Sequence, residues 1–307
     1  MKNVHQHGHS GHNAFLYVLC VVSVVSVVVT SLRAADAPKQ LIAHRGASGY
    51  APEHTPAAYR LAIEMHADFV EPDLAVTKDN VLICLHDDSL ARTTNIAEVF
   101  PDRAKALAND LTMAEIKKLD AGRWFKPEFA GQHIQTFQDA IDLVREHPGT
   151  GLYPELKSPE LYASRGVDQA KLFIDLIRKN GLEKPESLKR TPIIIQSFDE
   201  TAIRRVAAEL PTIPRVLLVE RRGDVSEARL REITTFATGV APEKSLVAAH
   251  PEIVAQAHAI GLTVTCWTFR ADEKTAFPSV RDEMSRFLYD YGIDALFTNN
   301  PDQFPRR

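Results

Sequence analysis

Short runs of β-branched and other apolar residues alternate with longer amphipathic stretches throughout the chain after residue 38. This alternation is typical of βαβ units, in which parallel strands form one sheet and the connecting helices cover its faces. It therefore predicts an α/β fold. The nine runs span residues 41–44, 69–76, 81–86, 152–157, 193–198, 215–220, 238–241, 263–269 and 295–298.

The spacing of these runs predicts a barrel. Only residues 77–80 separate the second run from the third, and a parallel crossover needs a dozen or more residues, so these two runs form an antiparallel hairpin. Eight parallel strands remain, the number that a (β/α)8 barrel requires. We predict that residues 38–307 form a single (β/α)8 TIM barrel with a β-hairpin extension after strand 2. An open doubly wound sheet is the alternative.

Local signals predict details of this fold. Thr55 followed by Pro56 is typical of a helix start, and Thr112 with Glu115 has the spacing of a capping box. Residues 98–109 show no clear period and are interpreted as a loop insertion. In the hairpin, the simplest register pairs Val76 with Val81, which would place Glu71 opposite His86.

Composition excludes several classes of protein. The chain has 45% hydrophobic and 25% charged residues with 14 Gly and 18 Pro, which argues against disordered, collagen-like and disulfide-scaffold proteins. The formal net charge of −4 argues against a nucleic-acid partner. Cys84 and Cys266 each lie in apolar runs, so we expect buried free thiols, with a disulfide between them as the alternative.

The N-terminal region has the pattern of a targeting segment. Residues 15–30 carry no charge, and this run is shorter than the roughly 20 residues of a spanning helix. It suits the apolar core of a signal peptide, and Ala35-Asp36-Ala37 offers a small-x-small cleavage site. We expect residues 1–37 to export the chain to the periplasm or the extracellular space. An uncleaved anchor, with membrane contact through residues 15–30, is the alternative.

Acidic residues lie in two predicted strands, at or near strand ends: Glu71 and Asp73 in the run 69–76, and Glu155 in the run 152–157. Side chains two apart on a strand share a face, so Glu71 points the same way as Asp73, and Glu155 the same way as Lys157. Three carboxylates that meet at a barrel mouth repel one another unless a cation holds them. Oxygen ligands without cysteine favour Ca²⁺ or Mg²⁺. We therefore predict that Glu71, Asp73 and Glu155 bind one divalent cation.

Two histidines and two basic residues lie at the same strand ends. His44 and His86 titrate near neutrality when unperturbed, which suits general acid–base work on a phosphoester. Arg45 and Lys157 could neutralise phosphoryl oxygens. The alternative is a set of solvated turns and a surface ion pair that have no common role.

Five segments together resemble one family. IAHRGASGYAPEHT (42–55), FVEPDLAVTKDN (69–80), LHDDSLARTT (85–94), YPELKSP (153–159) and FTNNPD (297–302) are similar to the glycerophosphodiester phosphodiesterases, especially the exported members. The resemblance implies a barrel of the phospholipase C-like type, and a metal-dependent hydrolase of small glycerophosphodiesters such as glycerophosphocholine and glycerophosphoethanolamine. It also implies site residues: His44 and His86 as the acid–base pair, Glu71, Asp73 and Glu155 as the metal ligands, and Arg45 and Lys157 as the phosphate contacts.

Further matches to the family are weaker. Trp267 and Phe198 are candidates for the substrate pocket, with ordinary core packing as the alternative for both. Glu53 is a candidate metal or hydroxyl contact, or a first-turn acid that the helix dipole favours. His54 and Asn299 stand where many relatives have Asn and Asp, so His54 receives no role and a charged contact at position 299 is in doubt.

Two other functions are compatible with these residues. A membrane-anchored lysophospholipid phosphodiesterase and a catalytically silent phosphodiester-binding barrel are the alternatives. The chain contains neither GxSxG nor GxxxxGK[ST], which disfavours a serine hydrolase and a P-loop nucleotide enzyme.

Overall fold

The sheet closes into a ring of parallel strands. In the computed structural model, which describes residues 38–307, the first and last strands pair with each other through Ile42 and Phe297. The predicted targeting segment, residues 1–37, lies outside the described residues. The strands are β1 (Gln40–His44), β2 (Phe69–Glu71), β3 (Asp73–Val76), β4 (Leu82–Cys84), β5 (Gly151–Leu152), β6 (Glu155–Leu156), β7 (Ile195–Ser197), β8 (Arg215–Val219), β9 (Gly239–Pro242), β10 (Thr263–Phe269) and β11 (Ala295–Thr298).

Two positions in the barrel wall are each built from a pair of short strands. Pro72 separates β2 from β3, and Pro154 lies between β5 and β6, because proline has no N–H to donate to the ladder. The halves stay aligned, since β2 pairs with β5 and β3 pairs with β6, all in parallel. Eight parallel positions result, so the predicted (β/α)8 barrel is confirmed and the open doubly wound sheet is wrong.

Helices fill the crossovers between successive strands. They are α1 (Pro56–Glu64), α2 (Ile96–Val99), α3 (Met113–Ile116), α4 (Phe137–Arg145), α5 (Pro159–Ser164), α6 (Gln169–Asn180), α7 (Pro185–Arg190), α8 (Glu200–Glu209), α9 (Glu227–Ile233), α10 (Lys244–Ala249), α11 (Glu252–Ala259) and α12 (Val280–Ser285), the last continued by a π-helical segment, Arg286–Tyr291. Within residues 38–307, no helix is long and apolar enough to cross a membrane.

The predicted helix starts are confirmed. The Thr55 side chain accepts a hydrogen bond from the backbone N–H of Ala58 at the start of α1. Thr112 and Glu115 form the reciprocal capping box of α3. Residues 98–109 are not a plain loop: they contain the end of α2, the 3-10 turn Pro101–Arg103 and the start of a second 3-10 turn, Ala108–Asp110. Segments this short show no helical period in a sequence, which is why the pattern indicated a loop.

The hairpin after strand 2 forms, but the predicted register is wrong by one residue. Val76 pairs with Leu82, not with Val81, because Thr77 N–H donates to Val81 O at 3.0 Å and closes a wider turn. Asn80 takes a left-handed conformation in this turn, with φ of 61°. His86 lies beyond the end of β4, so it reaches the barrel mouth from a loop rather than from a ladder position opposite Glu71.

A compact apolar layer fills the barrel interior below the mouth. Tyr153 and Phe297 meet edge to face with their ring centroids 5.1 Å apart, and Phe69 packs against Tyr153. Such layers make a barrel a packed core rather than a pore, so a ligand has access only from the strand ends. Cys84 and Cys266 are buried and free, as predicted. The layer consists of Ile42, Phe69, Tyr153, Val216, Leu218, Ala241, Ala295 and Phe297.

Candidate active site

One pocket at the carboxyl ends of the strands brings together nine of the ten candidate site residues, and Glu53 is not among the residues that line it. It also contains residues that the sequence analysis did not select, among them Gln196, Glu243, Lys244, Arg270 and Glu273. The predicted residues that line it are His44, Arg45, Glu71, Asp73, His86, Glu155, Lys157, Phe198 and Trp267.

The three predicted acidic residues form a buried cluster. Each of Glu71, Asp73 and Glu155 offers a carboxylate oxygen, and these atoms all lie within 4.8 Å of one another. Parallel strand pairing brings two of these carboxylates together, because Asp73 and Glu155 are register partners on β3 and β6. Glu71 ends β2 on the other side of Pro72.

The electrostatics of this cluster match a cation site. Burial and the neighbouring Asp73 raise the pKa of Glu155 to about 8, and burial and the same carboxylate raise the pKa of Glu71 well above its ordinary value. Burial alone would also raise the pKa of Asp73, but the hydrogen bond from His54 and the charge of Arg45 outweigh it and lower that pKa. An all-oxygen donor set of this charge suits Ca²⁺ or Mg²⁺, so the residues fit a hard divalent ion.

Arg45 is held against the cluster by an unusual backbone conformation. Its N–H donates to Glu71 Oε2 at 2.8 Å, and its Nε lies 3.2 Å from Asp73 Oδ2. Arg45 and Gly46 both have positive φ, 56° and 84°. A Cβ on Gly46 would lie 2.7 Å from the carbonyl carbon of Ala58 in α1, so only glycine fits there.

Lys157 and the two aromatic residues also line the pocket. Lys157 Nζ lies 3.2 Å from Glu155 Oε1 and 6.0 Å from the centre of the Phe198 ring. Phe198 and Trp267 meet at 90° with ring centroids 5.5 Å apart. Phe198 is 44% exposed, so core packing is wrong for this residue.

Each histidine is oriented by a different partner. His44 Nδ1 donates to Asn299 Oδ1 at 2.7 Å, and His86 Nδ1 donates to Asp87 Oδ1 at 2.7 Å. Burial, helped by the nearby Arg45, lowers the pKa of His44 to about 3. Burial also lowers the pKa of His86, against the opposing effect of Asp73. In both rings Nδ1 is engaged as a donor, which leaves Nε2 as the atom available for proton transfer.

Sequence reasoning missed several contacts of the site. His54, which received no role, is buried and its Nε2 lies 2.9 Å from Asp73 Oδ2. Gln196 Nε2 donates to Glu71 Oε1 at 3.4 Å, and the Gln196 side-chain oxygen is buried without a partner. Gln196 carried one signal, its place at the end of a predicted strand. His54 carried none, because it reaches Asp73 only after α1 packs on the sheet.

Comparison with known proteins shows the family of this chain. The sequence pattern of the glycerophosphoryl diester phosphodiesterase family matches residues 44–303. The chain belongs to this family. It is 36% identical to a glycerophosphodiester phosphodiesterase of Bacillus subtilis strain 168, over 94% of this chain and 95% of that protein. The predicted family and the predicted enzyme class, a phosphodiesterase of glycerophosphodiesters, are therefore confirmed.

Solved structures of the family have the same fold. An Oleispira antarctica phosphodiesterase in complex with its product sn-glycerol-3-phosphate aligns with a TM-score of 0.71 and 27% identity, over 87% of this chain and 95% of that one. The glycerophosphodiester phosphodiesterase of Agrobacterium tumefaciens C58 aligns with a TM-score of 0.66 and 25% identity, over 87% of this chain and 98% of that one.

Proposed function

We propose that this chain hydrolyses small glycerophosphodiesters, such as glycerophosphocholine and glycerophosphoethanolamine, to sn-glycerol 3-phosphate and an alcohol. The observation that carries the proposal is the meeting of two imidazoles, three carboxylates and two basic side chains in one pocket. The product bound to the Oleispira relative supports sn-glycerol 3-phosphate as the common product.

Glu71, Asp73 and Glu155 would hold one divalent cation, either Ca²⁺ or Mg²⁺. When bound, such an ion stabilises the negative charge that develops on oxygen and helps to orient the diol. Arg45 and Lys157 border the same cluster and supply fixed positive charge for the phosphoryl oxygens. Arg45 presents a planar fork that suits two-pronged contact with phosphate.

The two histidines divide the proton transfers. The His44 ring is neutral because its pKa is low and its partner, Asn299, is an uncharged amide. Its Nε2 therefore accepts the proton of the glycerol 2-hydroxyl. The hydroxyl oxygen then bonds to phosphorus and the bond from phosphorus to the alcohol oxygen breaks. His86, whose protonated form the Asp87 carboxylate stabilises, gives its proton to the departing alkoxide. Water opens the cyclic phosphate as the two rings exchange roles.

Phe198 and Trp267 would form a wall of the substrate pocket. Phe198 and Trp267 form a corner at the pocket wall, and Trp267 is fixed there because its Nε1 donates to Ala241 O at 2.8 Å. Rigid rings at a pocket wall exclude water and position the carbon skeleton of a small ligand. Removing either ring is therefore expected to weaken substrate binding more than it slows the chemical step.

One assay tests the proposal. The release of glycerol 3-phosphate is measured from glycerophosphocholine and lysophosphatidylcholine, with and without a chelator, for the native chain, His44→Ala and His86→Ala. We expect turnover of glycerophosphocholine that chelation abolishes and that each substitution reduces by at least about 10²-fold. Full activity in both variants would refute the acid–base roles, and undiminished turnover after exhaustive chelation would refute the metal. Preference for the acylated substrate would favour the lysophospholipid alternative.

We also propose that residues 1–37 direct export. The uncharged run at residues 15–30 and the small-residue pattern before Pro38 support this. The test is the N-terminal sequence and the compartment of the protein from cells that express the whole chain. An extracytoplasmic protein that begins near residue 38 agrees with a signal peptide. A protein that retains residues 1–37 in the membrane fraction agrees with an anchor.

A further inference from the structure

Arg92, in the loop after β4, binds two carboxylates at once. Its Nε and one terminal nitrogen donate to Asp87 at 2.6 and 3.0 Å. Its two terminal nitrogens donate to Glu53 at 2.9 and 2.7 Å. The guanidinium group therefore makes four hydrogen bonds to two acidic residues from separate segments of the chain.

Each of these carboxylates contacts a residue of the proposed active site. Asp87 Oδ1 accepts the hydrogen bond from His86 Nδ1 at 2.7 Å. Glu53 Oε1 accepts a hydrogen bond from Arg45 at 3.1 Å. A continuous set of ionic hydrogen bonds thus joins the His86 ring to the Arg45 guanidinium, with Arg92 at its centre.

We propose that Arg92 is a positioning residue that fixes His86 and Arg45 relative to each other. Through Asp87 it orients the His86 ring, and through Glu53 it orients the Arg45 fork that faces the phosphate. The role depends on the proposed function of His86 and Arg45. Arg92 is not among the residues that line the pocket, so it acts through Asp87 and Glu53.

The chemistry of the two-sided contact requires arginine. A planar guanidinium presents its donors in a fixed fork and can meet one carboxylate along one edge and a second along another. A lysine ammonium is a point charge on a flexible stem, so it keeps the attraction but does not fix both partners in one geometry.

The structure also holds Arg92 in place. The neighbouring Leu90 is fully buried, and Thr94 Oγ1 donates to Leu90 O at 2.6 Å. Leu90 N–H in turn donates to Ala106 O at 3.3 Å, in the segment with the short 3-10 turns. The Arg92 guanidinium lies 5.9 Å from the centre of the Trp124 ring. The backbone of the insertion at Ala106 therefore supports the loop that carries Arg92.

The test compares Arg92→Gln and Arg92→Lys with a matched control. Arg103 provides the control because it lies in the same region, pairs with Glu115 at 2.8 Å and has similar side-chain exposure, 39% against 43% for Arg92. We expect Arg92→Gln to lower kcat roughly 10- to 100-fold, the usual range for partners that orient active groups. It should also weaken inhibition by inorganic phosphate. Arg92→Lys should lower kcat and weaken phosphate inhibition to a smaller extent. Arg103→Gln should leave kcat and phosphate inhibition unchanged.

Two single substitutions separate the contact of Arg92 with Asp87 from its contact with Glu53. Asp87→Asn should lower kcat and leave phosphate inhibition unchanged. Glu53→Gln should weaken phosphate inhibition and leave kcat unchanged. The double variant Arg92→Gln with Asp87→Asn should be no slower than the slower single variant, because both remove the same support. Thermal unfolding of each variant is measured in parallel. If Arg92→Gln does not fold, Arg92→Lys takes its place in the double variant.

The outcomes are distinct. A kcat of Arg92→Gln or Arg92→Lys equal to that of the native chain, or losses that multiply in the double variant, would overturn the role of Arg92 and leave the proposed function intact. The His86→Ala variant is assayed beside them. Full activity in that variant would overturn the acid–base role of His86 and, with it, the role of Arg92.

Discussion

Replacement of Gly46 by alanine tests how tightly the Arg45 turn packs on α1. Gly46 has φ of 84°, and an added Cβ would lie 2.7 Å from the carbonyl carbon and 2.8 Å from the carbonyl oxygen of Ala58. The left-handed conformation costs a residue with a Cβ about 1–2 kcal/mol. Overpacking against fixed backbone adds about 1–3 kcal/mol. We therefore expect Gly46→Ala to lower the free energy of unfolding by about 2–5 kcal/mol.

Gly131 is the matched control, because its φ of 86° is nearly the same but an added Cβ would meet no atom within 4 Å. Gly131→Ala should therefore lose only the conformational part, about 1–2 kcal/mol. Both free energies come from urea unfolding followed by circular dichroism. The difference between the variants isolates the contact with α1. Equal losses in the two variants would refute the steric reasoning at Gly46.

Three further outcomes follow from the contacts of the site. Gln196→Leu removes the amide beside Glu71 and should weaken Ca²⁺ or Mg²⁺ binding about tenfold in calorimetry, and an unchanged affinity would contradict this. Asn299→Asp places a carboxylate at His44 Nδ1, so it should raise the pKa of the His44 ring. The acid limb of the pH profile of kcat/KM should then move to higher pH. An acid limb that does not move would contradict the contact between residue 299 and His44. Phe198→Ala should raise KM several-fold with little change in kcat, whereas a change confined to kcat would exclude a binding role.

The strands and the main site residues could be predicted because their signals are local. Each barrel strand is a short apolar run in which polar residues stand out: His44 ends the run 41–44, and Glu71 and Glu155 interrupt the runs 69–76 and 152–157. Once the strands are parallel, their carboxyl ends meet at one face of the barrel, so the residues at those ends converge. The topology therefore follows from the spacing of the runs.

The register of the hairpin could not be predicted because it depends on turn geometry. The left-handed Asn80 and the hydrogen bond from Thr77 to Val81 widen the turn by one residue. A register shift of one residue changes every cross-strand pair, so the predicted meeting of Glu71 with His86 failed there. His86 still enters the pocket because the loop beyond β4 leads to it.

The contacts of Arg92 and His54 depend on tertiary packing. Arg92 meets Glu53 across 39 residues, and His54 meets Asp73 across 19. Neither pair has a spacing that marks it on a helix or a strand. Such contacts become visible only when α1 and the loop after β4 are placed on the barrel.

The most direct test is the position of the bound cation. Crystals of the protein grown with Mn²⁺, as a stand-in for Mg²⁺ or Ca²⁺, are measured for anomalous scattering. We expect one strong peak within bonding distance of carboxylate oxygens from Glu71, Asp73 and Glu155, and its loss in Asp73→Asn. A peak elsewhere in the pocket, or one that survives Asp73→Asn unchanged, would show that these three carboxylates do not hold the cation.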